Sequence, residues 1–108
     1  MKNNIYNPKV TIIITSKNYD KFLKNSVNSA INQSYKNIEL YVVDDNSKDT
    51  SVKIIKDIKK KNPKINIFLN KKSKGLQKIS NFVLKKCKGI YFIRLDADDW
   101  LHKDSIKK

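Results

Sequence analysis

The chain has 108 residues and a formal net charge of +14, from 24 Lys and Arg against 10 Asp and Glu. That length suits one domain, 1–108, with a buried core, and a grouped apolar share of 39% argues against disorder. Two glycines and two prolines leave no flexible linker, and the single Cys87 excludes an internal disulfide.

The run VTIIIT, Val10 to Thr15, is short, β-branched and unbroken, and reads as a buried strand. Phe22, Leu23, Val27, Ala30 and Ile31 then repeat at three and four, which predicts a helix. IELYVV, Ile38 to Val43, is a second strand ending at Asp44 and Asp45. Val52, Ile55 and Ile58 mark a second helix, capped by Ser47, Asp49 or Thr50 and stopped by Asn62–Pro63. INIFL, Ile65 to Leu69, is a third strand. Leu76, Ile79, Val83 and Cys87 mark a third helix, with Gly75 before it, lysines in its last turn and Gly89 as its expected C-terminal cap. Cys87 belongs to that packing stripe. IYFIRL, Ile90 to Leu95, is a fourth strand, and HKDSIKK begins another helix. The order βαβαβαβ predicts an α/β fold: a mainly parallel open sheet with helices on both faces.

Three polar segments follow strands in this scheme. Thr15, Ser16, Lys17 and Asn18 follow the first, Asp44 and Asp45 the second, and Asp96, Asp98 and Asp99 the fourth. The ends of parallel strands lie along one sheet edge, where ligands bind near the reversal of strand order. YFIRLDADDW crowds three aspartates into four positions of a strongly basic chain. Carboxylates one residue apart suit a hard divalent cation such as Mn²⁺ or Mg²⁺ when a substrate diphosphate completes the shell. The alternatives for that stretch are a helix cap and a turn. A carboxylate after the second strand can accept hydrogen bonds from a base or from ribose hydroxyls. Neither a G-x-G-x-x-G nor a P-loop is present, which disfavours dinucleotide and P-loop sites.

VTIIITSKN, IELYVVDDNSKDTS, KGLQKISN and GIYFIRLDADDW, in this order and spacing, resemble glycosyltransferase family 2 from about Lys9 onward. The resemblance implies a GT-A fold, in its Rossmann-like nucleotide-binding half, and inverting transfer from a nucleotide-diphosphate sugar. It implies that Thr15, with Lys17 and Asn18, meets the nucleotide and that Asp45, beside Asp44, binds the base. It sets Gly75 and Asn81 near the diphosphate, Asp96 at the ribose, and Asp98 or Asp99 on Mn²⁺ or Mg²⁺. The chain departs from the family pattern at three places. Lys17 stands where an aromatic often stacks on the base, with Tyr19 nearby. Ser80 stands where an arginine often precedes Asn81, so Lys78 or Lys74 is expected to supply that charge. Asn46 replaces a glycine in a turn that asparagine tolerates.

The family's catalytic base and acceptor contacts lie beyond the D-x-D region. The chain is therefore expected to be the N-terminal, donor-binding part of a longer enzyme, with the base beyond residue 108. The expected partners are a UDP-sugar first and a glycan or lipid-linked acceptor. Exposed apolar surface predicts self-association or poor solubility. The start MKNNIYNPK lacks an apolar signal region and no apolar run reaches membrane-span length, so the expected location is cytoplasmic or peripheral at the inner face of the membrane. Two rival classes stand beside this reading. One is a receiver-like phosphoacceptor domain, although receivers carry their acidic pair after the first strand. The other is a basic module for nucleic acid or anionic membrane; a single arginine, Arg94, counts against sequence-specific nucleic-acid reading. Trp100 reads as packing and His102 as a solvent-exposed residue.

Overall fold

Runs of β-branched residues alternating with three-and-four-spaced apolar residues produce, in the computed structural model of the chain, seven elements. They are β1 (Val10–Ser16), α1 (Asp20–Ile31), β2 (Ile38–Asp45), α2 (Ser51–Lys61), β3 (Asn66–Asn70), α3 (Leu76–Lys86) and β4 (Tyr91–Asp96). The structure describes residues 8–72, 75–89, 91–98 and 101. Lys74, Ile90, Asp99, Trp100, His102 with the rest of the segment 102–108, and the side chain of Leu76 lie outside the described residues.

The four strands are parallel in the order β3-β2-β1-β4. β1 is central, pairing Val10 with Ile38 on one side and with Tyr91 on the other. Side chains alternate across a strand, so each strand feeds two cores. Val10, Ile12 and Ile14 join Leu40, Val42 and Leu95 beneath α1 (Leu23, Val27, Ala30) and α2 (Ile55). Ile13, Tyr41 and Val43 face the other way, against Ile79 and Val83 of α3. Helices thus cover both faces, as the alternating pattern predicts.

The strands run further than their apolar residues. β1 continues through Ser16, β2 through Asp45, and β4 through Asp96. Backbone pairing sets the end of a strand, and the ladder carries on through Ser16 beside Asp44, Asp45 beside Asn70, and Thr15 beside Asp96. Helix α2 runs to Lys61 and stops at Asn62, before Pro63, as expected. Thr50 holds its N-cap position without a side-chain cap bond. Asp49 instead accepts the Ser51 N–H at 2.9 Å.

Gly89 differs from its expected role. Helix α3 ends at Cys87 in an extended conformation, with the Cys87 N–H donating to the Val83 carbonyl at 2.8 Å. Gly89 has no left-handed φ. It is required because a Cβ there would lie 2.1 Å from Thr11 Oγ1 and 2.7 Å from the Thr11 backbone nitrogen. The close approach is used: the Gly89 N–H donates to Thr11 Oγ1 at 3.1 Å, and that hydroxyl donates to Glu39 Oε1 at 2.9 Å. The Lys88 N–H reaches the same Glu39 oxygen at 2.8 Å. Tyr41 adds its hydroxyl at 3.3 Å from both Glu39 Oε2 and the Lys86 carbonyl. Burial, then the Glu39 charge, pushes the Tyr41 phenol above its ordinary range, so it stays protonated as a donor.

Candidate functional site at the strand ends

β1 continues into α1 and, through the order β3-β2-β1-β4, into β2 on one side, while β4 lies on its other side. The reversal of strand order therefore falls between β1 and β4, and a crevice opens there at their C-terminal ends. A cavity of about 320 Å³ occupies it, lined by Thr15, Ser16, Lys17, Tyr19, Asp45, Gly75, Ile79 and Asp96. Four separate segments contribute, which is how a parallel sheet concentrates polar groups from distant sequence.

Thr15 and Asp96 are partners across the β1–β4 ladder, and the Thr15 hydroxyl lies 3.4 Å from Asp96 Oδ1. Asp45 comes from the end of β2 and is 6% exposed. Its Oδ2 accepts the Gly75 N–H at 3.2 Å, and its Oδ1 lies 3.5 Å from the Asn70 amide. Gly75 adopts φ 79°, ψ 159°, a conformation that is nearly reserved for glycine. This backbone turns the start of α3 onto Asp45 and floors the cavity. Ser16 is 2% exposed, and its hydroxyl has no hydrogen-bond partner among the described residues, so a ligand atom in the cavity would meet an unsatisfied group.

Of the residues expected at the site, Thr15, Lys17, Asp45, Gly75 and Asp96 line this cavity. Asn18 does not. It takes φ 62°, its N–H donates to Ser47 Oγ at 2.9 Å, and its side-chain oxygen accepts the Lys48 N–H at 2.7 Å. It ties the loop after β1 to the loop after β2. Asp44 is 1% exposed and turned into its own loop, accepting from the Ser47 N–H at 2.9 Å and the Ser47 hydroxyl at 2.5 Å. Asn46, next in that loop, has φ 62°, the left-handed conformation that its replacement of glycine anticipates. Lys78 lines a neighbouring groove with Phe68 and Phe82, and Asn81 is exposed on α3 outside the cavity lining. Asp98 is exposed in the turn directly after β4, beside the buried Ala97, and Asp99 lies outside the described residues.

The described donors suit a hard divalent ion in type. Asp96 stands at the cavity with its carboxylate exposed, and Asp98 follows two residues later. Both offer oxygen, which Mg²⁺ and Mn²⁺ prefer, and such ions keep positions for water and phosphate. No group of three or more His, Cys, Asp or Glu gathers among the described residues.

Ser16, part of the polar segment expected after the first strand, lines the cavity, whereas Tyr19 and Ile79 join it without having been placed in the expected site. Ser16 carries a usable signal, since a small polar residue closing a strand of β-branched residues is a poor core residue. Ile79 reads as helix core from its spacing and is core as well as cavity wall.

The sequence profile "Glycosyl transferase family 2" matches residues 11–108. A protein of Haemophilus influenzae named "Uncharacterized glycosyltransferase" is 36% identical over 101 residues, which are 94% of this chain and 40% of that protein. Chondroitin synthase of Escherichia coli is 33% identical over 100 residues, 93% of this chain and 14% of the synthase. Among solved structures, the mannosyltransferase PcManGT of Pyrobaculum calidifontis, in complex with GDP-Man and Mn²⁺, superposes with a TM-score of 0.84 at 23% identity. It is matched over 94% of this chain and 31% of its own, and at that identity it shows the shared fold. S. aureus TarS 1-349 in complex with UDP-GlcNAc gives 0.80 at 26% identity, over 92% of this chain and 29% of its own. The chain thus spans less than half the length of each of these relatives. A match that runs from the first strand past the D-x-D region, on a fold shared with solved glycosyltransferases, establishes that the chain belongs to glycosyl transferase family 2.

Proposed function

We propose that this chain forms the donor site of an inverting glycosyltransferase that binds a nucleotide-diphosphate sugar together with a divalent ion. One observation carries the reading: Thr15, Asp45, Gly75 and Asp96, from four separate segments, meet around one cavity at the reversal of strand order. Asp45 accepts hydrogen bonds at the cavity's inner wall and suits a base N–H or a ribose hydroxyl. The Thr15 hydroxyl and Asp96 suit the sugar of the nucleoside. Lys17, exposed at the rim, brings positive charge toward phosphate. Asp96 and Asp98, with Asp99 beside them, would hold Mn²⁺ or Mg²⁺. When bound, that ion supplies Lewis-acid charge to the diphosphate leaving group. The general base that takes the acceptor's proton is assigned to none of the cavity residues. The named ligands of relatives, GDP-Man and UDP-GlcNAc, support a nucleotide-sugar donor. UDP remains the first base to test, and the acceptor is proposed to be a glycan or lipid-linked sugar.

The receiver-like reading fares worse: a receiver's acidic pair follows its first strand, whereas Asp44 and Asp45 close β2, and both Asp44 oxygens are already taken by Ser47.

Calorimetric titration with UDP and GDP, with Mn²⁺ and then with chelator, tests the proposal. The expected result is weak binding that requires the ion and weakens on Asp45→Ala and on Asp98→Ala. Asp98→Ala should flatten the metal dependence, and Asp45→Ala should weaken binding with metal present. Metal-independent binding that ignores both substitutions would overturn it.

A further inference from the structure

From Ile58 to Leu95 the sequence carries eleven lysines and one arginine and no aspartate or glutamate. The structure gathers part of this acid-free stretch on one surface. Lys78, Phe82 and Lys86 stand four residues apart on α3, so they form one row along the helix. The Lys86 ammonium lies 5.6 Å from the centre of the Phe82 ring. Phe82 meets Phe68 of β3 edge to face at 4.9 Å yet keeps 43% of its surface exposed. Between β3 and α3 lies a groove of about 290 Å³, lined by Val43, Phe68, Leu69, Asn70, Lys78, Ile79 and Phe82. Lys71 and Lys72 follow directly on the exposed loop after β3.

We propose that this surface, the apolar groove between β3 and α3 with its lysine rim, docks on an anionic phospholipid bilayer. The chemistry is that of an interfacial contact. Phe82 enters the boundary of the acyl chains, and lysines reach the lipid phosphates with their stems along the apolar surface. Among the described residues no helix is long and apolar enough to cross a membrane, so the contact is peripheral. A second copy of the chain is a poor occupant, because this surface would meet its own positive charge. Nucleic acid is also a poor fit: Lys86 sits over the exposed Phe82 ring on which a base would stack. The groove and the cavity share Ile79 of α3. Docking would therefore hold the cavity beside the lipid surface. That consequence for a lipid-linked acceptor rests on the proposed donor site, whereas the docking itself does not.

Vesicle co-sedimentation of the chain, without nucleotide or metal, tests the proposal. The vesicles are phosphatidylcholine alone and phosphatidylcholine mixed with phosphatidylglycerol. Binding is expected only with the anionic lipid. The double variant Lys78→Glu/Lys86→Glu should weaken it about tenfold or more. Lys60→Glu/Lys61→Glu on α2, on the opposite face of the sheet, changes the net charge equally and should have a much smaller effect. Phe82→Ser, checked for a native circular dichroism spectrum, should weaken binding several-fold. Equal losses from the two lysine pairs would overturn the proposal in favour of unspecific charge attraction. No vesicle binding would overturn it, as would a folded Phe82→Ser protein that binds like wild type. Stronger binding to single-stranded poly(U) than to the anionic vesicles would assign the surface to nucleic acid instead.

Discussion

Asp20 and Asp49 exchange caps between two helices. Asp49 Oδ2 accepts the N–H of Asp20, the first residue of α1, at 3.0 Å. Asp20 Oδ2 in return accepts the Thr50 hydroxyl at 2.8 Å and the Thr50 N–H at 3.3 Å, immediately before α2. Each carboxylate thus sits where the partial positive charge of a helix start favours it. The pair locks together the loops after β1 and β2, which border the cavity.

Burial works to raise the Asp49 carboxyl, but hydrogen bonds from Ser51 and Asp20 outweigh it and hold the group below its ordinary value. A lowered folded-state pKa adds stability that is complete above the unfolded value, ~3.9, and is lost as pH falls through the folded value. Asp49→Ala should cost about 1–2 kcal/mol at neutral pH through the lost cap bonds. Below about pH 4 the gap to wild type should shrink. Urea titrations of both proteins across that range check it; a gap that stays constant into acid would show that the charge contributes nothing.

Glu39 and Asp45 stand six residues apart on β2, on one face, and hold opposite ends of α3. Asp45 takes the N–H of Gly75 before the helix, and Glu39 takes the N–H of Lys88 after it. Amide hydrogen exchange should separate the two. Glu39→Ala should speed exchange at the C-terminal end of α3 and lower stability by about 1–3 kcal/mol, since it strips Lys88 and Thr11 of an acceptor. Asp45→Ala should speed exchange at the N-terminal end. Uniform loss of protection along α3 in both variants would show that packing, and not these carboxylates, orients the helix.

Gly89→Ala should destabilise the chain by about 1–3 kcal/mol, because the new methyl would overlap Thr11. Thr11→Ala should not rescue it, since the Thr11 backbone nitrogen is itself only 2.7 Å from the added carbon. Thermal melts of the two single variants and the double variant decide the point; full rescue would place the conflict with the hydroxyl alone.

β4 is an outer strand of the described sheet, and Tyr91 on it is 51% exposed. Leu84 of α3, 50% exposed, adds apolar surface. An open strand edge invites pairing, while a net charge of +14 opposes it. Self-association should therefore increase with salt, as screening removes the repulsion. Sedimentation velocity at low and high salt measures this. A monomer at every salt and protein concentration would show that the edge is protected.

The elements were legible because short unbroken β-branched runs alternate cleanly with apolar residues spaced three and four apart. The crevice was legible in outline because parallel strands put Thr15, Asp45 and Asp96 at one edge. The division of labour between Asp44 and Asp45 was not. Ending the second strand at Val43 hides the fact that the pleat continues and sends the two carboxylates to opposite faces. Asp45 follows Tyr41 and Val43 toward α3, and Asp44 faces away into its loop. Gly89 was read from helix-capping chemistry, whereas its constraint is Thr11, 78 positions earlier. Local rules cannot register a neighbour that only the finished sheet brings close.

The central place of β1 has a consequence for how the chain acquires its structure. β1 is paired on one side by β2, about thirty positions later, but on the other only by β4, the last of the described strands. As the chain leaves the ribosome, one edge of Val10–Ser16 must wait, unpaired, until Tyr91–Asp96 has emerged. The crevice between them cannot exist before that moment. Ligand competence would thus arrive late and all at once, and a nascent chain paused before Tyr91 would present an open β1 edge to chaperones instead of a binding site.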